Sequence, residues 1–267
     1  MSFSPAISRV RKTRISQLIS KGKRLDGREL IEYREIKIER GVIGTAEGSA
    51  KVNIGKTEVT VGIKIGIEDP FPDTPEEGVL KVNAELVPLA SPTFEPGPPD
   101  ENAIELARVV DRGFRESKAI DLKKLCLVPG KHVLAVYVDI YVLNYDGNLI
   151  DASALAALSA LLDTKVPKYS VKNGEIVRGE GWESLPITNH PIAITFAKLE
   201  DKLVVDPSLA EEEVMDARLT ITVDDVGRIC AMQKGGGGFL TIEQLLQAVE
   251  VARMKANELR KIVLGGG

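Results

Sequence analysis

The stretch KHVLAVYVDIYVLNYDGNLIDASALAALSALL, residues 131–162, is the segment around which the rest of the chain organises. Val133, Val136, Tyr137, Val138, Ile140, Tyr141 and Val142 are β-branched or aromatic and occupy both alternating sets of side chains. That pattern predicts a central strand over 131–143, buried on both faces. Tyr145, Asp146, Gly147 and Asn148 then supply turn chemistry. Ala154, Leu155, Ala156, Ala157, Leu158, Ala160 and Leu161 follow within 153–162, an almost wholly apolar helix of small residues suited to packing on that sheet. Strand, turn and helix form the heart of the first half.

Upstream, apolar and polar residues alternate over 49–54 and 59–65, with Gly55 and Lys56 placed as a hairpin turn. Residues 79–87 continue the sheet. The segment SPTFEPGPPD, 91–100, breaks regular structure because prolines crowd around Gly97. Helical periodicity returns over 102–118, where Leu106, Val109, Val110 and Phe114 share one side at about 100° per residue. Arg108, Arg112 and Arg115 fall in a stripe on the other side, from which their guanidinium groups can meet a row of phosphates. Glu105, Asp111 and Glu116 flank the stripe and can pair with it instead.

At the start of the chain, Ile7, Val10, Ile15, Leu18 and Ile19 recur at mostly helical spacing over 4–22, among Arg9, Arg11, Lys12, Arg14 and Lys21. This is an amphipathic helix whose basic face is either solvated or open to phosphate. Residues 172–181, KNGEIVRGEG, read as a charged, glycine-rich linker. The expected division is therefore an N-terminal helix and basic arm (1–30), a first domain (31–170) and a second domain (171–267). The second domain is expected to carry strands over 192–198, 202–205, 217–223 and 229–233. A long helix follows from Thr241 to about Leu264, opened by a Thr241/Gln244 capping box.

Two clusters invite a chemical reading. Lys234 and the glycines at 235–238 lack both the Lys-Ser/Thr ending of a phosphate loop and the strand-linked GxGxxG pattern, so a flexible connection is the better reading. Asp206, Glu211, Glu212, Glu213 and Asp216 can hold Mg²⁺ or act as acid and base, but acids after Asp206-Pro207-Ser208 also describe an ordinary helix start.

Composition narrows the classes further. With 267 residues, 43% hydrophobic, the chain can bury a substantial core. A net charge of -4 and a pI of about 5.5 exclude a uniformly basic nucleic-acid binder and confine any such contact to a local patch. Aromatic residues make up only 4%, so recognition of a nucleic acid would lean on phosphates. Cys126 and Cys230 have neither a CxxC neighbour nor a nearby histidine, and are expected to be buried thiols. His132 and His190 lie in separate apolar contexts, which argues against histidine-centred catalysis. No apolar run reaches the roughly 20 residues needed to cross a bilayer, and the expected location is the cytoplasm.

Three segments carry a family resemblance: KRLDGR at 23–28, GSAKVNIGKT at 48–57 and FEPGPPDENAIELARVVDR at 94–112. Together they make the chain resemble the RNase PH family, and within it the ring subunits of the archaeal exosome that lack a reaction centre. The resemblance implies an α+β, ribosomal protein S5 domain 2-like fold with mixed sheets packed with helices. It also implies assembly with a catalytic sister subunit as three heterodimers in a hexameric ring, RNA-binding cap subunits, and single-stranded RNA passing through the centre. No cofactor, metal or membrane is implied.

Active relatives hold inorganic phosphate with a Gly-Thr-Arg-Thr-Ala type turn at a helix N-terminus, where backbone N–H groups and a guanidinium suit a dianion. The matching positions here read Gly147, Asn148, Leu149, Ile150 and Asp151. Leu149 stands in place of the arginine, and Asp151 is expected to add negative charge where phosphate would sit. Asp100 and Glu101 stand where active members carry an arginine pair, while Asp206 matches an active-site aspartate and is read as a remnant. The expectation is thus a chain with no catalytic residues, a degenerate phosphate site at Asn148, Leu149 and Asp151, and an RNA path along Arg108, Arg112 and Arg115. The competing expectations are an independent phosphate-dependent 3′-5′ exoribonuclease, which the altered turn opposes, and a small-molecule kinase, which lacks an ATP-phosphate loop.

Overall fold

The computed structural model describes residues 5–172 and 175–265, with side chains from 12 to 171 and from 176 to 265. The first half contains α1 (Pro5–Ser20), β1 (Ile36–Arg40), β2 (Gly48–Ile54), β3 (Thr57–Glu68) and β4 (Val79–Leu86). It continues through α2 (Glu101–Glu116), β5 (Cys126–Val128), β6 (His132–Asn144) and α3 (Leu149–Asp163). A hairpin of β7 (Lys165–Lys172) and β8 (Glu175–Ser184) leads to β9 (Ile192–Leu199), β10 (Lys202–Val205), the single turn α4 (Leu209–Glu212), β11 (Ala217–Val223), β12 (Ile229–Gly235) and α5 (Ile242–Gly265).

Strands of the first sheet run in the order β1-β2-β3-β6-β4, with β5 paired to β6. Only β4 is parallel to its neighbour β6, because α2 and the chain after it carry the crossover. The second sheet, β10-β9-β11-β12, is antiparallel throughout.

Helix α3 packs against β2 and β3 of the first sheet and against β9 of the second. Enclosure on both sides explains why its residues from Ile150 to Leu161 are buried and why none of its faces is polar. Small side chains let the sheets close in. Gly48 is required by that approach, since a Cβ there would meet the Thr164 Cα at 2.7 Å. Helix α2 lies on β4 and buries Leu106, Val109, Val110 and Phe114, each worth roughly 1.5–3 kcal/mol of transfer free energy. Its N-cap is Asp100, which accepts the Ala103 N–H at 2.8 Å. The Thr241/Gln244 capping box forms in both directions at the start of α5.

Four expectations change. Strand β6 is covered on both faces only over Val133 to Val136; beyond them Tyr137 and Asp139 are half-buried and Tyr141 is exposed. The helices cover one face of this sheet, and on the other Lys81 reaches Glu68 at 2.7 Å beside Tyr137. The segment read as a linker is instead the β7/β8 hairpin, whose β-branched residues Val171, Ile176 and Val177 satisfy their backbones by pairing. Cys126 and Cys230 are half-buried free thiols rather than buried ones. Of the glycines after Lys234, Gly237 is open but Gly238 is packed: its N–H donates to the Asp216 carbonyl at 2.8 Å, and a Cβ there would collide with that oxygen at 2.5 Å.

The N-terminal helix forms as α1, with Ile15 and Ile19 buried against Ala197, Leu199, Val204 and Val214. Lys12 meets Asp216 at 3.3 Å. The side chains of Arg9 and Arg11 lie outside the described residues. Among the described residues, no helix is long and apolar enough to cross a membrane.

Candidate functional site

The turn from β6 into α3 is held by two left-handed residues, Gly147 at φ +89° and Asn148 at φ +58°. Gly147 packs so tightly on the segment before α4 that a Cβ would stand 2.5 Å from the Leu209 nitrogen. Asn148 tolerates the conformation as a short polar residue. Thr57 fixes the turn from β3, donating to the Gly147 carbonyl at 2.6 Å and accepting the Asp146 N–H at 3.1 Å.

This geometry aims the Asn148 N–H at Glu212, whose Oε1 accepts it at 2.8 Å. The Tyr145 hydroxyl donates to the other oxygen of Glu212 at 2.6 Å. Burial lifts Glu212 above the usual glutamate range, and the hydrogen bonds from Tyr145 and Asn148 partly offset that rise. A donor at the start of α3 that could meet an anion is therefore already used by a carboxylate from the second half of the chain.

A cavity of about 230 Å³ opens beside this point, lined among others by Leu149, Asn148, Thr195, Glu105, Glu212 and Arg218. Its charged lining is two carboxylates against one guanidinium, and Arg218 is engaged by Glu105 at 2.6 Å. The Leu149 side chain is aliphatic and contributes no donor to this lining. Each unit of like charge brought within about 4 Å costs roughly 4 kcal/mol at an effective dielectric of about 20.

Asp151 requires a correction. Its carboxylate does not line the cavity but turns inward, where Oδ2 accepts the Tyr33 hydroxyl at 2.7 Å, the Asn148 amide at 2.9 Å and the Thr195 N–H at 3.0 Å. Its Oδ1 accepts the Thr195 hydroxyl at 2.7 Å. Burial pushes this carboxyl up to about 6, against the pull of those donors. The negative lining thus comes from Glu212 and Glu105, not from Asp151.

Asp206 is a structural node. Its backbone is left-handed, φ +47°, and its side chain is fully buried. Arg34 forks onto it at 2.9 and 2.7 Å, Arg28 adds a bond at 2.8 Å, and the Asn148 amide another at 2.8 Å. Burial favours the neutral acid, but Arg34 and Asn148 outweigh it and hold the carboxyl below the usual aspartate range. Nearby, Arg24 makes a buried bidentate pair with Glu211 at 2.8 and 2.5 Å, and Glu211 also accepts the Ser208 N–H at 2.8 Å. The acids after Asp206 are thus held by separate partners. Among the described residues no cluster of three or more metal-ligating side chains forms.

Residue pattern alone singled out neither Arg34 nor Tyr33, and gave Arg24 and Arg28 no role beyond the 23–28 motif. That motif was the available signal for the arginines; nothing near Tyr33 pointed to Asp151.

The basic stripe on α2 is only partly open. Arg108 is exposed and unpaired among the described residues, and Arg112 is exposed with a single bond to Gln233 at 3.2 Å. Arg115 is committed to Asp111 at 2.7 Å and to the Leu80 carbonyl at 3.0 Å. Of the three flanking acids, Asp111 therefore pairs with the stripe, whereas Glu105 pairs with Arg218.

Models of the 3′ exoribonuclease family match residues 32–167 as its domain 1 and residues 189–255 as its domain 2. The chain belongs to the RNase PH family. Among RNase PH relatives, it is 54% identical over 266 residues to the exosome complex component Rrp42 of Thermococcus gammatolerans, covering 99% of this chain and 97% of that one. It is 50% identical over 260 residues to the Rrp42 component of Methanothermobacter thermautotrophicus, with 97% and 95% coverage. A chain of the Archaeoglobus fulgidus exosome, solved with RNA bound to the active site, superposes with a TM-score of 0.88 at 46% identity, covering 96% of this chain and 98% of that chain. A chain of an archaeal exosome core gives 0.86 at 43% identity, with 97% and 98% coverage. The RNase PH fold expected from the sequence is the fold observed.

Proposed function

We propose that this chain is a ring subunit of an archaeal-type exosome, an RNA-degrading assembly of the cytoplasm, and that it has no reaction centre of its own. The observation that carries the second half of this reading is the Asn148 N–H closed by Glu212, beside a cavity whose one guanidinium, Arg218, is engaged by Glu105. Phosphorolysis needs a phosphate dianion held in line with the RNA end, and here the Asn148 N–H is occupied and the Leu149 side chain brings no guanidinium to hold one.

The partners proposed are those that the resemblance to the archaeal exosome implies. A catalytic sister subunit pairs with this chain, three such pairs close the ring, and cap subunits sit upon it. This chain orders the sister's site across their interface and guides single-stranded RNA with Arg108 and Arg112, with Arg115 braced against Asp111.

The test is release of nucleoside diphosphates from RNA and inorganic phosphate. The isolated chain is expected to give no product above a mock preparation, and the chain mixed with its sister subunit more than the sister alone. Product from the isolated chain sinks the reading.

A further inference from the structure

Trp182 is the chain's single tryptophan, and it stands 51% exposed on β8. Its setting is specific. Between the paired positions Pro167↔Trp182 and Tyr169↔Arg178, Lys168 alone stands opposite Gly179, Glu180 and Gly181. This bulge, with Gly181 at φ +92°, accompanies the placement of the Arg178 guanidinium 5.1 Å from the Trp182 ring centroid.

Trp182 also lines an open cleft of about 590 Å³ together with Gly44, Thr45, Ala46, Lys165 and Ser184. Small side chains around a half-exposed ring leave room for a flat group against it. Lys165 meets only the Ser184 hydroxyl, at 3.0 Å, and among the described residues Lys165, Lys168 and Arg178 form no ion pair. Of the two acids at the cleft, Glu47 is paired with Lys64 at 2.7 Å and Glu183 is exposed.

We propose that the cleft lined by Trp182 and Gly44–Ala46 takes one base of a single-stranded RNA, stacked on the indole, with Lys165, Lys168 and Arg178 meeting the flanking phosphates. The ligand class rests on the RNA-handling function proposed above; the location rests on this hairpin alone. A protein partner fits less well, because hot-spot aromatics sit in an apolar surround. The immediate neighbours of Trp182 are polar or small, and the hairpin's other exposed apolar residues, Val171 and Val177, pair near its far end.

A single tryptophan makes the site its own reporter. With excitation that spares tyrosine, titration of the full chain with a short oligoadenylate is expected to quench the Trp182 emission, and to do so less as salt rises. Trp182→Ala is expected to weaken binding of a labelled oligoadenylate about tenfold by anisotropy, with Trp182→Phe intermediate. Normal melting of both variants shows that folding is unaffected. Anisotropy binding without quenching, or equal affinity of Trp182→Ala, overturns the cleft while leaving the RNA function intact. Quenching by the sister or a cap subunit but not by RNA assigns the cleft to a protein and also overturns it. Absence of any RNA binding, in the chain and in the assembled ring, overturns both readings.

Discussion

Glu212 accepts the backbone N–H of Asn148 at 2.8 Å, so the first turn of α3 is capped from a segment 64 residues away. Under the proposed reading, that carboxyl group takes a donor at the turn expected to be a degenerate phosphate site.

Restoring a phosphate site should therefore take two changes rather than one. Leu149→Arg alone brings a guanidinium but leaves Glu212 on the donor, and is expected to bind inorganic phosphate weakly. Leu149→Arg combined with Glu212→Ala, which removes both the charge and the acceptor, is expected to bind it at least tenfold more tightly than either single variant, read by phosphorus NMR line broadening. Equal affinities for the double variant and Leu149→Arg would remove Glu212 from the account.

Asp151 gives a pH signature with a definite sign. Its carboxyl is raised to about 6 in the folded chain, from about 3.8, so the folded state binds the extra proton between those values. Its contribution is fully present below about pH 4 and is lost as pH rises through about 6. Asp151→Asn can keep the donors of Tyr33, Asn148 and the Thr195 N–H on its oxygen while its amide faces the Thr195 hydroxyl, which can turn toward Thr220 at 2.9 Å. The variant is expected to lose less stability than wild type between pH 4 and 6.5 in urea titrations. Parallel curves would count against this assignment.

The buried pair of Arg24 and Glu211 has side chains at 0% and 2% exposure. Arg24→Met leaves Glu211 without its counter-charge and is expected to cost about 3–5 kcal/mol. Arg24→Met with Glu211→Leu is expected to recover most of that loss, because two apolar chains leave no charge stranded. Chemical denaturation of both variants provides the comparison.

The arginines of α2 should separate by role. Arg108→Glu and Arg112→Glu are expected to weaken RNA binding by the assembled ring and to lower the salt slope by about 0.7 for each phosphate no longer neutralised. Arg115→Glu is expected to reduce stability, through Asp111 and the Leu80 carbonyl, with the slope unchanged. A slope that falls only for Arg115→Glu would reverse the assignment.

Local patterns reported local structure well. Gly55 and Lys56 mark the β2/β3 turn, the Leu106-to-Phe114 face lies on β4, and Thr241 with Gln244 opens α5, each a matter of a few residues. The site was read less fully because its determinants are distant. The aliphatic side chain at Leu149 was legible, yet nothing near Asn148 announced Glu212, and nothing near Arg24 announced a partner 187 residues on. Asp151 misled for a related reason: spacing places it on the first turn of α3 but cannot say that Thr195, from the other sheet, draws it inward. Open faces are hidden in the same way, since β-branched density in β6 does not reveal that the helices cover only one side of Tyr137 and Tyr141.

Arg24, Arg28 and Arg34 all close onto residues 205–211, so the segment that carries them finds its seat between 172 and 187 residues further along the chain. During synthesis β1, β2, β3 and β6 can pair once residue 144 has emerged, and Arg34 can then reach the Asp146 and Gly147 carbonyls, but Arg24 and Arg28 must wait some sixty residues more for their partners at 205–211. A nascent chain stalled before residue 205 would hold a formed sheet with a loose basic leader, and release of the remainder would latch it.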